Sequence, residues 1–251
     1  MMGNSQTKEQ TAGATVAKSA EAKTLVDEID QVAKLINDKS KTTMKIADVR
    51  NATVKQRFIN SRHPKPDRLV FHCVVNGADY VVKVQRIDLA PTGATSLVKR
   101  PPNYANELRA LLRLQDMNIT PKIHLAFVDD YKEWKHQVPP IQESKETSSS
   151  HQFIDKVLVF VQDLVLEART INDLWRNGTG ARQWNAQLQI YIAQMHQVGI
   201  AHGDLHANNV LVDRDGKHWI IDFGNCVLAD PVAFRLHGAD CDFIRDVTKY
   251  L

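Results

Sequence analysis

Apolar residues in the first part of the chain recur at the spacing of a helix. Four of them lie three or four positions apart among acidic and basic residues: Leu25, Ile29, Val32 and Ile36. This spacing predicts a helix over about residues 18–37 that packs one stripe against the domain and acts as a structural brace. The preceding residues, 1–20, are small and polar, so we expect a disordered leader there.

Strand-like patterning follows between residues 44 and 85. Two apolar runs, Leu69–Val75 and Tyr80–Val84, flank Asn76-Gly77, and this dipeptide is typical of a two-residue hairpin turn. Further along the chain, residues 123–128 and 157–161 have the composition of two more strands. The sequence therefore predicts a small antiparallel sheet.

An insertion and two more helices complete the predicted elements. Residues 129–152 contain Pro139-Pro140 and a serine-rich run, which predicts a long polar insertion. A helix over about residues 103–115 is predicted by its apolar face and by Thr120-Pro121 beyond its end. A second helical stripe ends at Gly199, and its members are Trp184, Leu188, Tyr191, Ile192, Met195 and Val198.

One predicted hairpin in the last part of the chain carries the most specific chemistry. Two short apolar runs, 210–212 and 218–221, are joined by Asp213-Arg214-Asp215-Gly216, which has the composition of a tight connection. The residues before and after an antiparallel hairpin lie side by side at its open end. We therefore expect Asn209 to lie beside Asp222.

An amide oxygen next to a carboxylate offers the hard oxygen ligands that Mg²⁺ prefers. Asp204 precedes Asn209 on the loop that leads to the same end of the hairpin. A carboxylate there can accept a proton from an attacking hydroxyl, while a metal offsets charge on a transferred phosphoryl group. A plain hairpin with solvated turn acids explains Asp213 and Asp215, but it does not explain the convergence of Asp204, Asn209 and Asp222.

These residues resemble the motifs of the protein-kinase-like superfamily. The segment from His202 to Asn209 matches H-x-D-x-x-x-x-N, and Asp222-Phe223-Gly224 matches D-F-G. The resemblance implies that Asp204 is the catalytic carboxylate and that Asn209 and Asp222 are metal ligands. It also implies ATP and Mg²⁺ as the cofactors.

Further matches lie in the N-terminal half. By itself Lys83 fits a solvent-facing lysine on an edge strand. In the superfamily, however, a strand lysine pairs with a helix glutamate and directs its ammonium group at the ATP phosphates, and Lys83 and Glu107 lie on the corresponding predicted elements. The strand that runs into Asp163 and Leu164 corresponds to the hinge, where backbone groups receive adenine.

The resemblance implies an α+β, two-lobed protein-kinase-like fold, with a small antiparallel-sheet N-terminal lobe and a truncated, mostly helical C-terminal lobe. We divide the chain into a leader (1–20), an N-terminal helix plus N-terminal lobe (21–164, with the insertion 129–152), and a minimal C-terminal lobe (165–251).

Three features depart from regulated protein kinases. No G-x-G-x-x-G loop is present, because the only glycine between residues 44 and 83 is Gly77 in the hairpin turn. Gly203 replaces the arginine that reads a phosphorylated activation loop. Few residues follow Gly224, and no A-P-E segment is visible. Together with the H-G-D start, these features resemble the RIO family, the kinase subunit of the KEOPS complex, and the aminoglycoside and choline phosphotransferases.

Composition narrows the remaining possibilities. The net charge of +3 is mild and gives no specific nucleic-acid signal. Three widely spaced cysteines fit buried thiols in a reducing compartment, and no apolar run is long enough for a membrane span. We expect a cytoplasmic protein. If translation began at Met2, the sequence from Met2 to Thr7 would match an N-myristoylation pattern and allow a weak lipid anchor.

Three functions remain open. The leading prediction is an ATP- and Mg²⁺-dependent atypical serine/threonine protein kinase. The second is the same chemistry on a small molecule of the aminoglycoside, choline or sugar type, and the third is a nucleotide-binding pseudokinase or slow ATPase scaffold. A zinc site at His202 and His206 is disfavoured because Gly203 suits a loop and no third ligand is evident. His206 either contacts the transferred phosphate or packs the loop.

Overall fold

An antiparallel five-stranded sheet organises the N-terminal half of the computed structural model, which describes residues 6–58, 68–89, 104–135, 152–177 and 182–228. Its order is β1-β2-β3-β5-β4, and the strands are β1 (Thr53–Arg57), β2 (Arg68–Val75), β3 (Ala78–Leu89), β4 (Ile123–Asp130) and β5 (Gln152–Asp163). The predicted antiparallel sheet is confirmed.

The hairpin between β2 and β3 forms at the predicted dipeptide. Asn76 and Gly77 both have positive φ, 51° and 83°, as a two-residue turn between twisted strands requires. The register pairs Val70 with Lys83 and Arg68 with Gln85. Directly paired residues of an antiparallel sheet share a face, so the side chains of these four residues lie on one side of the sheet.

Several predicted boundaries are wrong. β4 continues to Asp130 and leads into a 3₁₀ turn at Tyr131–Glu133, followed by the buried Trp134. The insertion predicted over residues 129–152 therefore begins with ordered structure, because Asp129 and Trp134 hydrogen-bond to each other. Its residues 136–151 lie outside the described part of the chain. The segment expected to be strand-like from residue 44 begins instead with the short helix α2 (Ile46–Arg50).

The N-terminal helix α1 spans Gln6–Ser40 and so begins earlier than predicted. The expectation of a disordered leader is wrong from Gln6 onward, because the Ala, Lys, Gln and Glu residues of that segment are good helix formers; residues 1–5, with the acylation pattern, lie outside the described part. The predicted stripe is buried at Ile29, Val32 and Ile36. It packs against β4 and α3 (Tyr104–Leu114), which confirms the bracing role.

The C-terminal half is built from short elements around one longer helix. They are β6 (Arg169–Thr170), α4 (Ile171–Arg176), α5 (Arg182–Gln197), β7 (Ile200–Ala201), β8 (Val210–Val212), β9 (His218–Ile220), a 3₁₀ turn (Phe223–Asn225) and β10 (Val227–Leu228). β6, β8 and β9 form one small sheet, and β7 pairs with β10. Residues 229–251, which include the rest of the predicted minimal lobe, lie outside the described part.

Two apolar cores hold these parts together. One lies on the outer face of the large sheet, between α2 and Trp134. The other lies on the inner face and joins residues of α1, α3, α5 and the C-terminal sheet, including Leu108, Ile192 and Phe223. This second core ties the sheet lobe to the loops of the C-terminal half, and the molecule is of the predicted α+β class.

The described cysteines are part of these cores. Cys73 and Cys226 are buried free thiols. Burial raises the pKa of Cys73 to about 11 and that of Cys226 to about 12. Both side chains are therefore uncharged at neutral pH and act as small apolar groups. Among the described helices, none combines the length and the apolar character that crossing a bilayer requires.

Candidate active site

The hairpin of β8 and β9 brings Asn209 and Asp222 to one end. The backbone carbonyl of Asn209 accepts a hydrogen bond from the amide of Ile221, at 2.9 Å. Asp213 closes the opposite end by accepting hydrogen bonds from the backbone amides of Asp215 and Lys217. The spacing of the two apolar runs, read from the sequence, therefore positions the two predicted metal ligands.

The amide of Asn209 is oriented by the loop before it. Its Nδ2 donates a hydrogen bond to the carbonyl oxygen of Asp204, at 2.8 Å, and the residue is almost fully buried. No hydrogen bond to its Oδ1 is made among the described residues. That oxygen therefore remains available to a ligand, as an oxygen-binding cation requires.

Asp222 has an unusual backbone conformation. Its φ and ψ are 64° and 66°, in the left-handed region, which costs a non-glycine residue about 1–3 kcal/mol and is typical of functional sites. The following Phe223 is fully buried and fixes the loop in the inner core. Asp222 Oδ1 lies 2.5 Å from Arg68 Nη1 and 3.2 Å from Lys83 Nζ.

Lys83 and Glu107 meet on the inner face of the sheet. They form a buried ion pair between β3 and α3, and Lys83 Nζ also lies 5.2 Å from the centre of the Phe160 ring. A buried cation is costly unless it is paired, and here one ammonium group faces two carboxylates, those of Glu107 and Asp222. The three residues form a continuous charged network across the cleft.

Asp204 is accessible beside this network. Its Oδ2 accepts a hydrogen bond from Asn225 Nδ2 at 3.1 Å, and its Oδ1 lies 3.9 Å from His206 Nε2. The carboxyl group is 40% exposed, so an acceptor hydroxyl can reach it. His206 also lies 3.4 Å from Asn209 Nδ2, a position compatible with both of its predicted roles.

His202 joins two loops, residues 202–209 and residues 222–225, which we call the catalytic loop and the metal loop after the roles predicted for Asp204 and Asp222. It is fully buried, its Nε2–H donates to the carbonyl of Ile221 at 2.9 Å, and its Nδ1 accepts from the backbone amide of Asp204 at 3.3 Å. Its ring also contacts Phe223, with centroids 4.7 Å apart. Both ring nitrogens are thus used within the chain, so the arrangement does not support a zinc site at His202 and His206.

The two hinge residues predicted from the sequence lie outside this cluster. The Asp163 amide donates to the carbonyl of Lys122 at 2.9 Å, and its Oδ1 lies 2.5 Å from His124 Nε2. The amide and the carboxylate of Asp163 are thus both used within the chain, and its role at the hinge stays a prediction. Leu164 follows directly, beyond the end of β5 and partly buried.

The donor atoms of this cleft fit ATP with Mg²⁺. Asn209 and Asp222 supply an amide oxygen and a carboxylate, which are hard ligands typical of Mg²⁺. Lys83 and Arg68 supply positive charge for phosphate groups. Within the described residues no cluster of three or more His, Cys, Asp or Glu side chains could hold a metal ion by itself.

The sequence analysis missed Arg68 and Asn225. Arg68 is the first residue of β2, where it had no recognisable motif, and it reaches a residue 154 positions away. Asn225 directly follows D-F-G, and that position was the only signal available. Both residues contact the predicted carboxylates, Asp222 and Asp204 respectively.

The fold and these loops define the class of protein. A sheet lobe with a strand-lysine and helix-glutamate pair, facing an H-x-D-x-x-x-x-N loop and a D-F-G turn, places the chain in the protein-kinase-like superfamily. Within that superfamily, residues 136–233 match the family described as "Phosphotransferase enzyme family". This match covers less than half of the chain.

Individual relatives are similar over shorter stretches. The serine/threonine-protein kinase PKH3 of Saccharomyces cerevisiae is 44% identical over 77 residues, which are 31% of this chain and 8% of that protein. A 3-deoxy-D-manno-octulosonic acid kinase of Xanthomonas euvesicatoria is 46% identical over 54 residues, 22% of this chain and 21% of that protein. The chain therefore matches less than a quarter of the length of either relative.

One solved structure shares a broader but more distant likeness. The kinase PK-1 of the Cydia pomonella granulovirus is 14% identical, with a TM-score of 0.45, and the alignment covers 72% of this chain and 54% of that one.

Proposed function

We propose that this chain is an ATP- and Mg²⁺-dependent phosphotransferase that transfers the γ-phosphoryl group to an alcohol hydroxyl. The observation that supports this most directly is the charged network of Lys83, Glu107 and Asp222 across the cleft. It stands beside an accessible Asp204 and an oriented Asn209. In phosphoryl transfer, a lysine–glutamate pair positions ATP, oxygen ligands hold the metal, and an accessible carboxylate orients the acceptor.

Each residue has a distinct role in the proposed reaction. Lys83, held by Glu107, binds the phosphates, and Asn209 with Asp222 holds the metal. Asp204 orients the acceptor hydroxyl and accepts its proton. A new oxygen–phosphorus bond forms as the bond between the γ-phosphorus and its bridging oxygen breaks, so that ADP leaves. Bound Mg²⁺ would offset the negative charge on the phosphates.

The hydroxyl acceptor has two candidate classes. A serine or threonine of a protein, the leading prediction from the sequence, is supported by the stretch similar to PKH3. A carbohydrate hydroxyl is supported by the stretches similar to 3-deoxy-D-manno-octulosonic acid kinases from several bacteria, and the phosphotransferase family match is compatible with either class. The matched stretch is longer for the protein kinase, whereas several sugar acid kinases match over shorter stretches, so both classes of acceptor have to be tested.

A scaffold that only binds a nucleotide would need fewer of the features of this site than an enzyme would. Binding alone does not need an accessible carboxylate beside the metal ligands, nor a side chain that holds this carboxylate in place. Asp204 has both properties, since Asn225 donates a hydrogen bond to its Oδ2. The catalytic function therefore accounts for more of the geometry than the scaffold does.

Transfer from γ-labelled ATP with Mg²⁺ tests the proposal. The acceptors are 3-deoxy-D-manno-octulosonic acid, an aminoglycoside and a generic protein substrate. Asp204→Asn keeps the shape of the side chain but removes the base, and we expect the transfer rate to fall about 10²- to 10⁴-fold with no change in thermal unfolding.

The matched control is Asp215→Asn, in the exposed turn of the adjacent hairpin, where the side chain is 81% exposed. This variant should keep the wild-type rate. Equal rates for the wild type and Asp204→Asn would remove Asp204 from the mechanism. Absence of transfer to every acceptor, with ATP still bound, would favour the scaffold.

A further inference from the structure

Arg68 lies beside Asp222 and Lys83, the predicted metal ligand and the predicted phosphate-binding lysine. It is the first residue of β2, and its guanidinium group contacts Asp222 Oδ1 at 2.5 Å. Its side chain is only 11% exposed. Lys83 shares the same carboxylate oxygen at 3.2 Å, so two cations flank one predicted metal ligand.

The guanidinium group crosses from the sheet lobe to the metal loop. A Cβ atom built on Gly224 would lie 2.7 Å from Arg68 Nη2, so the arginine packs directly against the backbone of this glycine. Gly224 leaves the room in which the planar group lies. Arg68 therefore packs between the sheet and the Asp222-Phe223-Gly224 turn, on the same carboxylate oxygen as Lys83.

The chain offers no glycine-rich loop at the corresponding place in the sheet. The connection between β1 and β2 ends at Arg68 and contains no glycine. Backbone amides of a glycine loop normally supply donors to phosphate oxygens. A guanidinium group has five donors in a fixed planar fork, and this geometry matches phosphate oxygens in pairs.

Two features of the site bear on whether the guanidinium group can leave Asp222. Asp222 cannot bind a divalent cation through Oδ1 while a guanidinium group holds that oxygen at 2.5 Å, because like charges repel strongly at such distances. In addition, Gln85 pairs with Arg68 across the strands. The Gln85 amide is fully buried and makes no hydrogen bond among the described residues, so it can receive a polar partner.

We propose that Arg68 takes over the phosphate-binding role of the missing glycine loop. In the nucleotide-free chain its guanidinium group neutralises Asp222. When ATP enters with Mg²⁺, the guanidinium group moves to the β- and γ-phosphate oxygens and leaves the Asp222 carboxylate to the metal. This inference rests on the proposed function, since it requires ATP in the cleft.

Equilibrium binding of ATP and of adenosine, each measured with Mg²⁺ by calorimetry, tests the inference without relying on activity. Arg68→Ala should weaken ATP binding about 10- to 100-fold, the loss of one or two charge-assisted hydrogen bonds. Adenosine binding should not change, because adenosine has no phosphates. Arg68→Lys should fall between wild type and Arg68→Ala, since it keeps the charge and loses the fork.

Arg113→Ala is the charge-matched control, because this arginine is exposed on α3; it should bind both ligands as the wild type does. Unchanged adenosine binding also shows that Arg68→Ala is folded. If Arg68→Ala binds ATP as tightly as the wild type or more tightly, Arg68 only forms an ion pair with Asp222 and does not bind phosphate. The inference is then wrong. If the wild type binds neither ligand, the proposed function fails together with it.

Discussion

At the scale of single residues, Gly203 shows why the catalytic loop begins with H-G-D. Its φ is +76°, and a Cβ atom at this position would lie 2.3 Å from the backbone carbonyl oxygen of Asn225. A side chain would therefore push the metal loop away from the catalytic loop. The same close approach lets the Asn225 side chain reach Asp204, so the glycine links loop packing to the position of the carboxylate proposed to be catalytic.

Gly203→Ala and Gly216→Ala form a matched pair that tests this explanation. Gly216 has a similar φ of +79°, but a Cβ atom there would meet nothing within 4 Å. Both substitutions carry the left-handed backbone cost of about 1–2 kcal/mol. Gly203→Ala should cost about 1–3 kcal/mol more because of the clash, and it should also reduce phosphoryl transfer.

Urea denaturation of both variants measures the difference, and the transfer assay measures the effect on activity. Equal losses in the free energy of unfolding would mean that the loops containing Gly203 and Asn225 can move apart without destabilising the fold. The close approach at Gly203 would then have no structural consequence.

The buried carboxyl group of Asp129 has a pKa that is set by its burial and its hydrogen bonds. Its carboxyl group accepts hydrogen bonds from Arg50 Nε and Nη2 at 2.8 and 2.6 Å and from Trp134 Nε1 at 2.9 Å. Burial acts to raise the pKa of Asp129, but these hydrogen bonds outweigh it and hold the pKa below its ordinary value of 3.8. The carboxylate therefore ties α2 and the turn after β4 together.

A lowered pKa in the folded state fixes the sign of the pH dependence. The unfolded chain binds the proton more readily, so Asp129 stabilises the fold above about pH 3.8 and loses this effect as the pH falls further. Asp129→Asn should be about 1–3 kcal/mol less stable than the wild type at pH 7, allowing for the partly exposed Arg50. The difference in the free energy of unfolding between the wild type and Asp129→Asn should become smaller below pH 4.

Denaturation curves at several pH values provide the measurement. Asp130→Asn is the neighbouring control, because its carboxylate pairs with Lys156 in an exposed position and should have a smaller effect. A constant gap between wild type and Asp129→Asn from pH 7 to pH 3 would show that the charge of Asp129 has no role.

At the scale of elements, α1 protects the edge of the large sheet. β4 is an edge strand, and its Ala126 exchanges two hydrogen bonds with the Asn37 side chain, at 2.8 and 2.9 Å. The Ser40 hydroxyl donates to the carbonyl of His124 at 2.7 Å. Backbone groups that would otherwise be open to another strand are thus covered by a helix.

Asn37→Ala should therefore destabilise the chain by about 1–3 kcal/mol, since it leaves the buried amide and carbonyl of Ala126 without partners. Leu35→Ala is the matched control on the same helix, because Leu35 is 57% exposed and its loss should change stability by less than about 0.5 kcal/mol. Thermal or chemical unfolding distinguishes the two. Similar effects from both substitutions would show that α1 holds the sheet by apolar packing alone.

Elements defined by local pattern could be predicted from the sequence, whereas those defined by distant partners could not. The Asn76-Gly77 turn and the hairpin before Asp222 depend on residues next to each other, and both were predicted. β4 continues to Asp130 by pairing with the distant β5, and Asp129 there is held by Arg50 and Trp134, which no local pattern connects to it. The same reason explains why Arg68 was missed, since its partner Asp222 is distant in sequence.

At the scale of the whole molecule, the site is assembled from both halves of the chain. Lys83 comes from the sheet and Glu107 from α3, whereas Asn209 and Asp222 flank the C-terminal hairpin. The inner core, which includes Leu108 and Phe223, connects these elements. The order of the elements along the chain was enough to predict this assembly, because it follows that of the protein-kinase-like superfamily.

The assembly has a consequence for metal binding. Asn209 and Asp222 provide too few oxygens to hold a hard cation by themselves, so the metal should bind only together with nucleotide phosphates. Mg²⁺ and ATP should therefore strengthen each other's binding. Binding that is linked in this way is reciprocal, so each ligand should raise the affinity of the other by the same factor.

Electron paramagnetic resonance of Mn²⁺, used in place of Mg²⁺, tests the central claim most directly. With a non-hydrolysable ATP analogue present, the wild-type chain should bind Mn²⁺, and Asp222→Asn should weaken that binding at least about tenfold, while its affinity for adenosine stays the same. Equal Mn²⁺ binding by the wild type and Asp222→Asn would contradict the assignment of this cleft as a metal and phosphate site.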